Sequence, residues 1–248
     1  MLQKIVIIGA TSAMAEHCAR TWLSASPKTL FLLGRDRSKT ERVAQDLRVR
    51  SPQSSIAVDT TDFTDPVQIQ AWVDGVCKEG APDVVLIAHG SLPDQKACQQ
   101  DLTTARQVLE LNGISPVLFA EAFANHMEKA GRGKLAIIGS VAGDRGRKSN
   151  YVYGSSKGLV TRYAQGLQHR LAGTGVQVTL IKPGPTDTPM TAELKSKGMK
   201  LADVGEVARS IVKGVERGQP TVYAPTKWGL IMMVIRHLPR FVFNKMDI

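Results

Sequence analysis

Cysteine is scarce in this chain. Cys18, Cys77 and Cys98 are the only three in 248 residues, and they stand far apart. An odd, scattered set with no Cys-x-x-Cys excludes a disulfide framework and a cysteine zinc site, and no metal site is expected. Such usage suits a reducing cytosol. Long apolar runs are missing too. The N-terminal run, Ile5-Val-Ile-Ile8, is too short for a signal peptide and lacks a cleavage-type region. The run at 228–235 is too short to span a bilayer. The expected location is therefore the cytoplasm. Internal repeats, low-complexity tracts and linkers are also absent, so no domain boundary is expected.

Acidic residues are outnumbered. Lys and Arg total 32 against 22 Asp and Glu, a formal charge of +10. No basic helix and no aromatic-basic interleaving accompanies that excess, so nucleic acid is not an expected partner. The surplus cations fit an anionic cofactor, an anionic substrate or a membrane surface; plain solubility is the simpler alternative.

What is present alternates. Apolar runs at 4–8, 29–33, 55–59, 83–88, 134–139, 176–182 and 221–224 read as strands. Amphipathic stretches at 12–24, 38–50, 66–79, 101–129, 151–172, 189–197 and 203–217 read as helices. Such alternation implies an α/β fold, a doubly wound parallel sheet of about seven strands with helices on both faces.

Tyr153 and Lys157 lie four residues apart at the start of a helix, which puts both on one face. An ammonium near a phenol favours phenolate and lowers the tyrosine pKa, giving a proton donor for a carbonyl that receives a hydride. Ser140, at the end of the 134–139 strand, is the candidate hydroxyl to hold the carbonyl oxygen. Tyr-x-x-x-Lys alone is weak, since an exposed helix face produces it too. Its context strengthens it: a buried strand and a glycine-rich loop before, a helical pattern after.

The turn Gly9-Ala-Thr-Ser-Ala-Met-Ala15 joins the first strand to the first helix. Backbone N–H groups of Gly9, Thr11, Ser12, Ala13 and Met14 there can meet a pyrophosphate. Ala13 and Ala15 stand where a Gly-x-x-x-Gly-x-Gly pattern has glycine, and a plain strand–helix turn is the alternative. Thr11 and Ser12 bond phosphates or merely cap the helix. The second strand ends Leu33-Gly34-Arg35-Asp36. An acid at position 34 would bond ribose hydroxyls and select NAD; Arg35 suits the extra phosphate of NADP. NADP(H) is the expected cofactor, with NAD(H) as the alternative if Asp36 swings toward a ribose.

With these residues assembled, the chain resembles the short-chain dehydrogenase/reductase family across 1–225, leaving 226–248 as a tail. The elements occur in the family's order: the Gly9 turn, Asp62-Phe63, Ile87-Ala-His-Gly90, Asn112, Ser140, Tyr153, Lys157 and Pro183-Gly-Pro-Thr-Asp-Thr188. The resemblance implies a Rossmann-type fold, a homodimer or homotetramer, and NAD(P)(H)-dependent interconversion of a ketone and a secondary alcohol. It implies a catalytic tetrad of Asn112, Ser140, Tyr153 and Lys157, in which Asn112 holds a helix kink and a water. It also implies that Asp62 bonds the adenine amino group, Phe63 backs the ring, Ala88 and Gly90 line the adenosine ribose, and Thr188 bonds the nicotinamide carboxamide. Pro183, Gly184 and Thr186 belong to the same cofactor-binding segment. His89 departs from the family's Asn-Asn-Ala-Gly stretch and is expected to be structural.

Segments 88–95 and 141–153 bear a looser resemblance to bacterial decaprenylphosphoryl-keto-pentose reductases, which reduce a keto-sugar on a polyprenyl phosphate. Arg145, Arg147 and Lys148 lie beside the expected carbonyl and are candidate ligands for a substrate phosphate, or an ordinary exposed basic loop. The tail, apolar with Arg236, His237 and Arg240 on one side, suits peripheral contact with anionic lipid. It equally suits packing over the cleft or a neighbouring subunit. The substrate expected is a small or lipid-linked carbonyl compound. A soluble or lipid-like ketone is the runner-up to the keto-sugar. A non-catalytic dinucleotide sensor, having no need of the phenol–lysine pair, is the remote alternative.

Overall fold

A computed structural model describes residues 2–246. Seven strands form one sheet in the order β3-β2-β1-β4-β5-β6-β7, every neighbouring pair parallel. They are β1 (Gln3–Ile8), β2 (Lys28–Gly34), β3 (Ser55–Thr60), β4 (Val84–Ile87), β5 (Gly133–Ile138), β6 (Val176–Pro183) and β7 (Thr221–Ala224). A parallel strand is buried on both faces, which is why its sequence is a run of Val, Ile and Leu rather than an alternation. In β1 the pleat sends Ile5 and Ile7 to one core and Val6 and Ile8 to the other. The first core also takes α1 (Ala13–Ala25), α2 (Arg37–Arg50) and α9 (Val204–Glu216); the second takes α3 (Pro66–Cys77), α6 (Ser115–Ala130) and α7 (Tyr151–Arg170). The chain is therefore the doubly wound sheet that its sequence pattern implies.

The expected helix at 101–129 is interrupted. It divides into α5 (Leu102–Leu109), a π-helical turn (Glu110–Ile114) and α6. Apolar periodicity runs through the break, so the pattern alone does not reveal it. Three short helices were not anticipated: α4 (Gln95–Gln100), α10 (Lys227–His237) and α11 (Arg240–Phe243). The segment expected helical at 189–197 is a 3-10 turn (Pro189–Thr191) followed by α8 (Ala192–Ser196).

Strand order reverses between β1 and β4, and a crevice opens there beyond the carboxyl ends of the strands. A buried ion pair braces its far side. Lys182 of β6 meets Asp144, whose other oxygen accepts from the Tyr223 hydroxyl of β7 at 2.9 Å. Removing one partner of such a pair costs about 3–5 kcal/mol, because a charge is left buried alone. The tail folds back on this region. Arg145 donates to the main-chain carbonyls of Ile235 and Leu238 and stacks 3.7 Å from the Phe243 ring centre. Met232 faces inward, while Leu230, Met233, Val234 and Phe241 stay exposed. Among the described residues no helix is long and apolar enough to cross a membrane.

Candidate active site

The crevice is a cleft over the ends of β1, β4, β5 and β6. Ser140, Tyr153 and Lys157 all line it. Ser140 comes from the residues just past β5, and the tyrosine and lysine from the first turns of α7, so two chain segments converge. Lys157 is only 3% exposed, and its ammonium donates to the Ile138 carbonyl at 3.0 Å. Among the described residues no carboxylate pairs with it. Burial pushes its pKa down to about 8.

The phenol behaves differently from the sequence expectation. Tyr153 keeps part of its surface open to the cleft, yet the protein around it raises its pKa by burial, opposed by a hydrogen bond with Ser140. The ammonium lies 5.9 Å from the tyrosine ring centre and is engaged with main chain. Burial, not the neighbouring charge, therefore dominates the phenol here, and Ser140 is the group that eases its ionisation.

Asn112 is completely buried in the π-helical turn and does not line the cleft. Its amide is committed at both ends: it donates to the Ser91 carbonyl at 2.9 Å and accepts from the Ser91 N–H at 2.6 Å. It thus ties the interrupted helix to the loop after β4.

At the nucleotide end Gly9 adopts φ +80°, and a Cβ there would come within 2.6 Å of the His89 backbone nitrogen. Only glycine makes that turn and that approach. The alanines standing for the other glycines are accommodated: Ala13 opens α1, and the Ala15 methyl is buried in the core. Ser12 occupies the N-cap of α1 without a side-chain capping bond, and it lines the cleft with Met14. Thr11 is exposed beside them.

Arg35 is exposed just past β2. Asp36, the alternative ribose ligand, is engaged in this arrangement. Its carboxylate caps α2, accepting from the Lys39 N–H at 3.0 Å, which holds it below the usual carboxylate range. Position 34 has no room for an acid, since a Cβ on Gly34 would stand 2.0 Å from the Thr40 hydroxyl oxygen.

Ala88, Gly90, Pro183, Gly184, Thr186 and Thr188 line the cleft as expected. Asp62 is exposed and accepts from both the N–H and the hydroxyl of Thr64, at 2.8 and 2.7 Å. Phe63 corrects an expectation. Its ring is buried edge-on to His89 and Phe119, with centres 4.8 and 5.4 Å away, and is not a surface on which a base can stack. His89 is hydrogen-bonded through Nε2 to Ser115 at 2.8 Å, and burial pushes its pKa down to about 3. It stays neutral and structural.

The basic loop separates into different roles. Arg145 holds the tail and is not a cleft residue, which overturns its assignment as a substrate ligand. Lys148 is exposed and lies outside the cleft lining. Arg147 alone of the three lines the cleft. Asn150, Leu92, Met190 and Leu194 line it as well and had no role in the sequence reading. Asn150 immediately precedes α7, where a helix cap is expected, and that position was its only signal.

A family model described as short chain dehydrogenase matches residues 3–198. The chain belongs to this family, whose members are oxidoreductases that act on the CH–OH/C=O pair with a nicotinamide dinucleotide. An uncharacterised oxidoreductase of Streptomyces coelicolor is 30% identical over 98% of this chain and 96% of its own length. A short-chain dehydrogenase of Burkholderia cenocepacia, solved with NADP, shares the fold at TM-score 0.82 and 18% identity, covering 98% of this chain and 96% of that one. A Sphingobium yanoikuyae short-chain dehydrogenase solved with NADPH does so at TM-score 0.81 and 22% identity, covering 96% and 97%.

The depressed lysine sets a pH limit. Above about 8 Lys157 loses its proton, so kcat/KM for carbonyl reduction is expected to fall there rather than near the ordinary lysine value of 10.5. A lysine with a lowered folded-state pKa penalises the fold while charged, and losing its proton removes that penalty between about 8 and 10.5. Lys157 therefore opposes unfolding over the range where activity declines, and the loss of rate is not a loss of fold on its account. Rate and melting temperature measured together against pH check this; a rate still level at about pH 9.5 contradicts it.

Proposed function

We propose that this protein is an NADP(H)-dependent carbonyl reductase, in which Tyr153 protonates the oxygen of a ketone held by Ser140. The convergence of Ser140, Tyr153 and Lys157 in one cleft at the strand-order reversal carries the reading. The residues also suit the dinucleotide. A buried ammonium without a carboxylate partner fits ribose hydroxyls, and the N-terminus of α1, free of a side-chain cap at Ser12, fits a pyrophosphate. Bound NADPH supplies the hydride to the carbonyl carbon.

The rest is done by the chain. Ser140 donates a hydrogen bond to the carbonyl oxygen and orients it. Tyr153 releases its proton to that oxygen as negative charge develops there. Lys157 holds the ribose and keeps positive charge under the phenol. Asn112 fixes the π-helical turn against Ser91 and acts on the site only by positioning that turn. Thr188 offers a hydroxyl to the nicotinamide carboxamide. A dinucleotide sensor needs none of the proton-handling groups, and their presence favours the enzyme.

Preference for NADP(H) rests on Arg35, on the engaged Asp36 and on the closed position 34; the two solved neighbours that hold NADP or NADPH point the same way. A second reading concerns where the enzyme works, and the tail supports it. Leu230, Met233, Val234 and Phe241 are exposed, Phe241 by 72%. Lys227, Arg236, Arg240 and Lys245 lie in the same segment, and 226–246 contains no carboxylate side chain. This composition suits an anionic lipid surface. A keto-sugar on a polyprenyl phosphate, suggested by segments 88–95 and 141–153, is a substrate that such a surface would present.

Tyr153→Phe is expected to remove nearly all turnover while leaving NADPH binding largely intact, as read by steady-state rates and cofactor fluorescence. Turnover like the wild type sinks the mechanism. Titrating both cofactors into wild type and Arg35→Ala should show a loss of about 1.5–3 kcal/mol for NADPH alone, the range for a hydrogen bond to a charged group. Equal losses for NADH and NADPH count against Arg35 as the selecting residue. In co-sedimentation, full-length protein is expected to follow anionic vesicles at low salt and to ignore neutral ones. A chain ending at Ala224 should bind neither, and failure of the full-length protein on anionic vesicles overturns the membrane reading.

A further inference from the structure

Arg147 is a cation in the wall of the cleft whose charge the protein does not match. Its only hydrogen-bond acceptor among the described residues is the Met232 sulfur, 3.5 Å from Nη2. Its Nε is buried with no partner. The nearest negative charge, Asp144, is already bonded to Lys182 and Tyr223. In the same wall the Asn150 side-chain oxygen is buried and accepts nothing. Behind it Gln95, which does not line the cleft, accepts from the Val152 N–H at 3.0 Å and leaves its amide nitrogen unused. Two of the five buried, unpartnered side-chain polar atoms among the described residues thus belong to cleft-lining residues of the stretch 147–150, and a third is on Gln95, which is bonded to Val152.

Buried cations and amides ordinarily find partners, because leaving them bare costs free energy. Here the tail increases that cost. Met232 of α10 covers the guanidinium, and α10 is held in place by Arg145. The chain therefore keeps Arg147 half out of water beside the carbonyl-reducing groups, without a carboxylate to neutralise it. Burial draws its pKa down, yet a guanidinium remains charged at any relevant pH.

We infer that the substrate carries an anionic oxygen group, a carboxylate or a phosphate ester, which Arg147 receives in the cleft wall. Guanidinium groups bind both anions through paired N–H donors. The anion supplies the missing charge, and Asn150 offers an acceptor to a hydroxyl nearby. With Ser140 and Tyr153 holding the carbonyl and Arg147 the anion, the substrate is fixed at two points, which orients one face of the ketone to the hydride donor. The inference rests on the reductase reading, since it concerns the substrate of that same cleft.

The test compares three ketones of matched carbon skeleton: a neutral ketone, the corresponding oxo acid and the corresponding phosphate ester. Full-length wild type is expected to favour at least one anionic ketone over the neutral one by about ten- to a hundredfold in kcat/KM, the worth of a charge-assisted hydrogen bond. Arg147→Met should erase that ratio while still binding NADPH, and Arg147→Lys should keep part of it. The acid and the ester distinguish the two sources of the anion. A wild type that reduces the neutral ketone equally well overturns the inference and leaves the reductase standing, as does a preference that survives in Arg147→Met. If no ketone is reduced, the reductase reading fails and binding decides the rest. Succinate or glycerol 3-phosphate should then raise the melting temperature of NADP-loaded wild type but not of Arg147→Met. No shift in the wild type, or an equal shift in both, overturns the inference.

Discussion

A parallel sheet sealed on both faces leaves chemistry one place to go. The helices on either side of β1–β7 exclude water from the sheet, so polar side chains with work to do gather beyond the strand ends. Every group of the candidate site obeys this. Ser140 follows β5, Ala88 and Gly90 follow β4, Gly184 follows β6, and Arg35 follows β2. The reversal of strand order between β1 and β4 separates the flanking loops and so makes the space they line. Burial of Lys157 derives from the same geometry: α7 packs tightly on the sheet, and its lysine reaches the carbonyl at the end of β5.

Much of this was legible because parallel strands announce themselves as uninterrupted apolar runs, and β1, β2, β5 and β6 were found within a residue or two of their ends. The ordered residues Asn112, Ser140, Tyr153 and Lys157 were legible as well. What escaped depended on long-range packing. The π-helical turn at Glu110–Ile114 keeps the helical periodicity of its neighbours and is pinned by Ser91, twenty-one residues away. Phe63 looked like a stacking surface because its position follows β3, but whether a ring turns inward depends on Phe119 and His89. Arg145 and Arg147 are two residues apart and looked interchangeable. Only the tail, which begins some eighty residues later, distinguishes them.

The departures from the family pattern are explained by where the methyl groups point. Ala15 turns its side chain into the core beneath the turn after β1, so its loss of glycine freedom costs nothing at the cleft. Gly9, by contrast, is held against the His89 backbone and has no substitute. Local sequence identity and local function thus part company within one short loop. The same holds for Asp144 and Lys182, which look like ordinary loop and strand charges yet form a buried pair bracing the floor beside the cleft.

Arg145 grips α10 through main-chain carbonyls and α11 through the Phe243 ring. A carbonyl is present at every position whatever the residue, so the hold on α10 is indifferent to its side chains. Met232, the residue of this helix that faces Arg147, can therefore change without loosening that hold. The cleft wall can therefore drift toward new substrates over evolutionary time while Tyr153 and Lys157, which sit on a different helix, stay untouched.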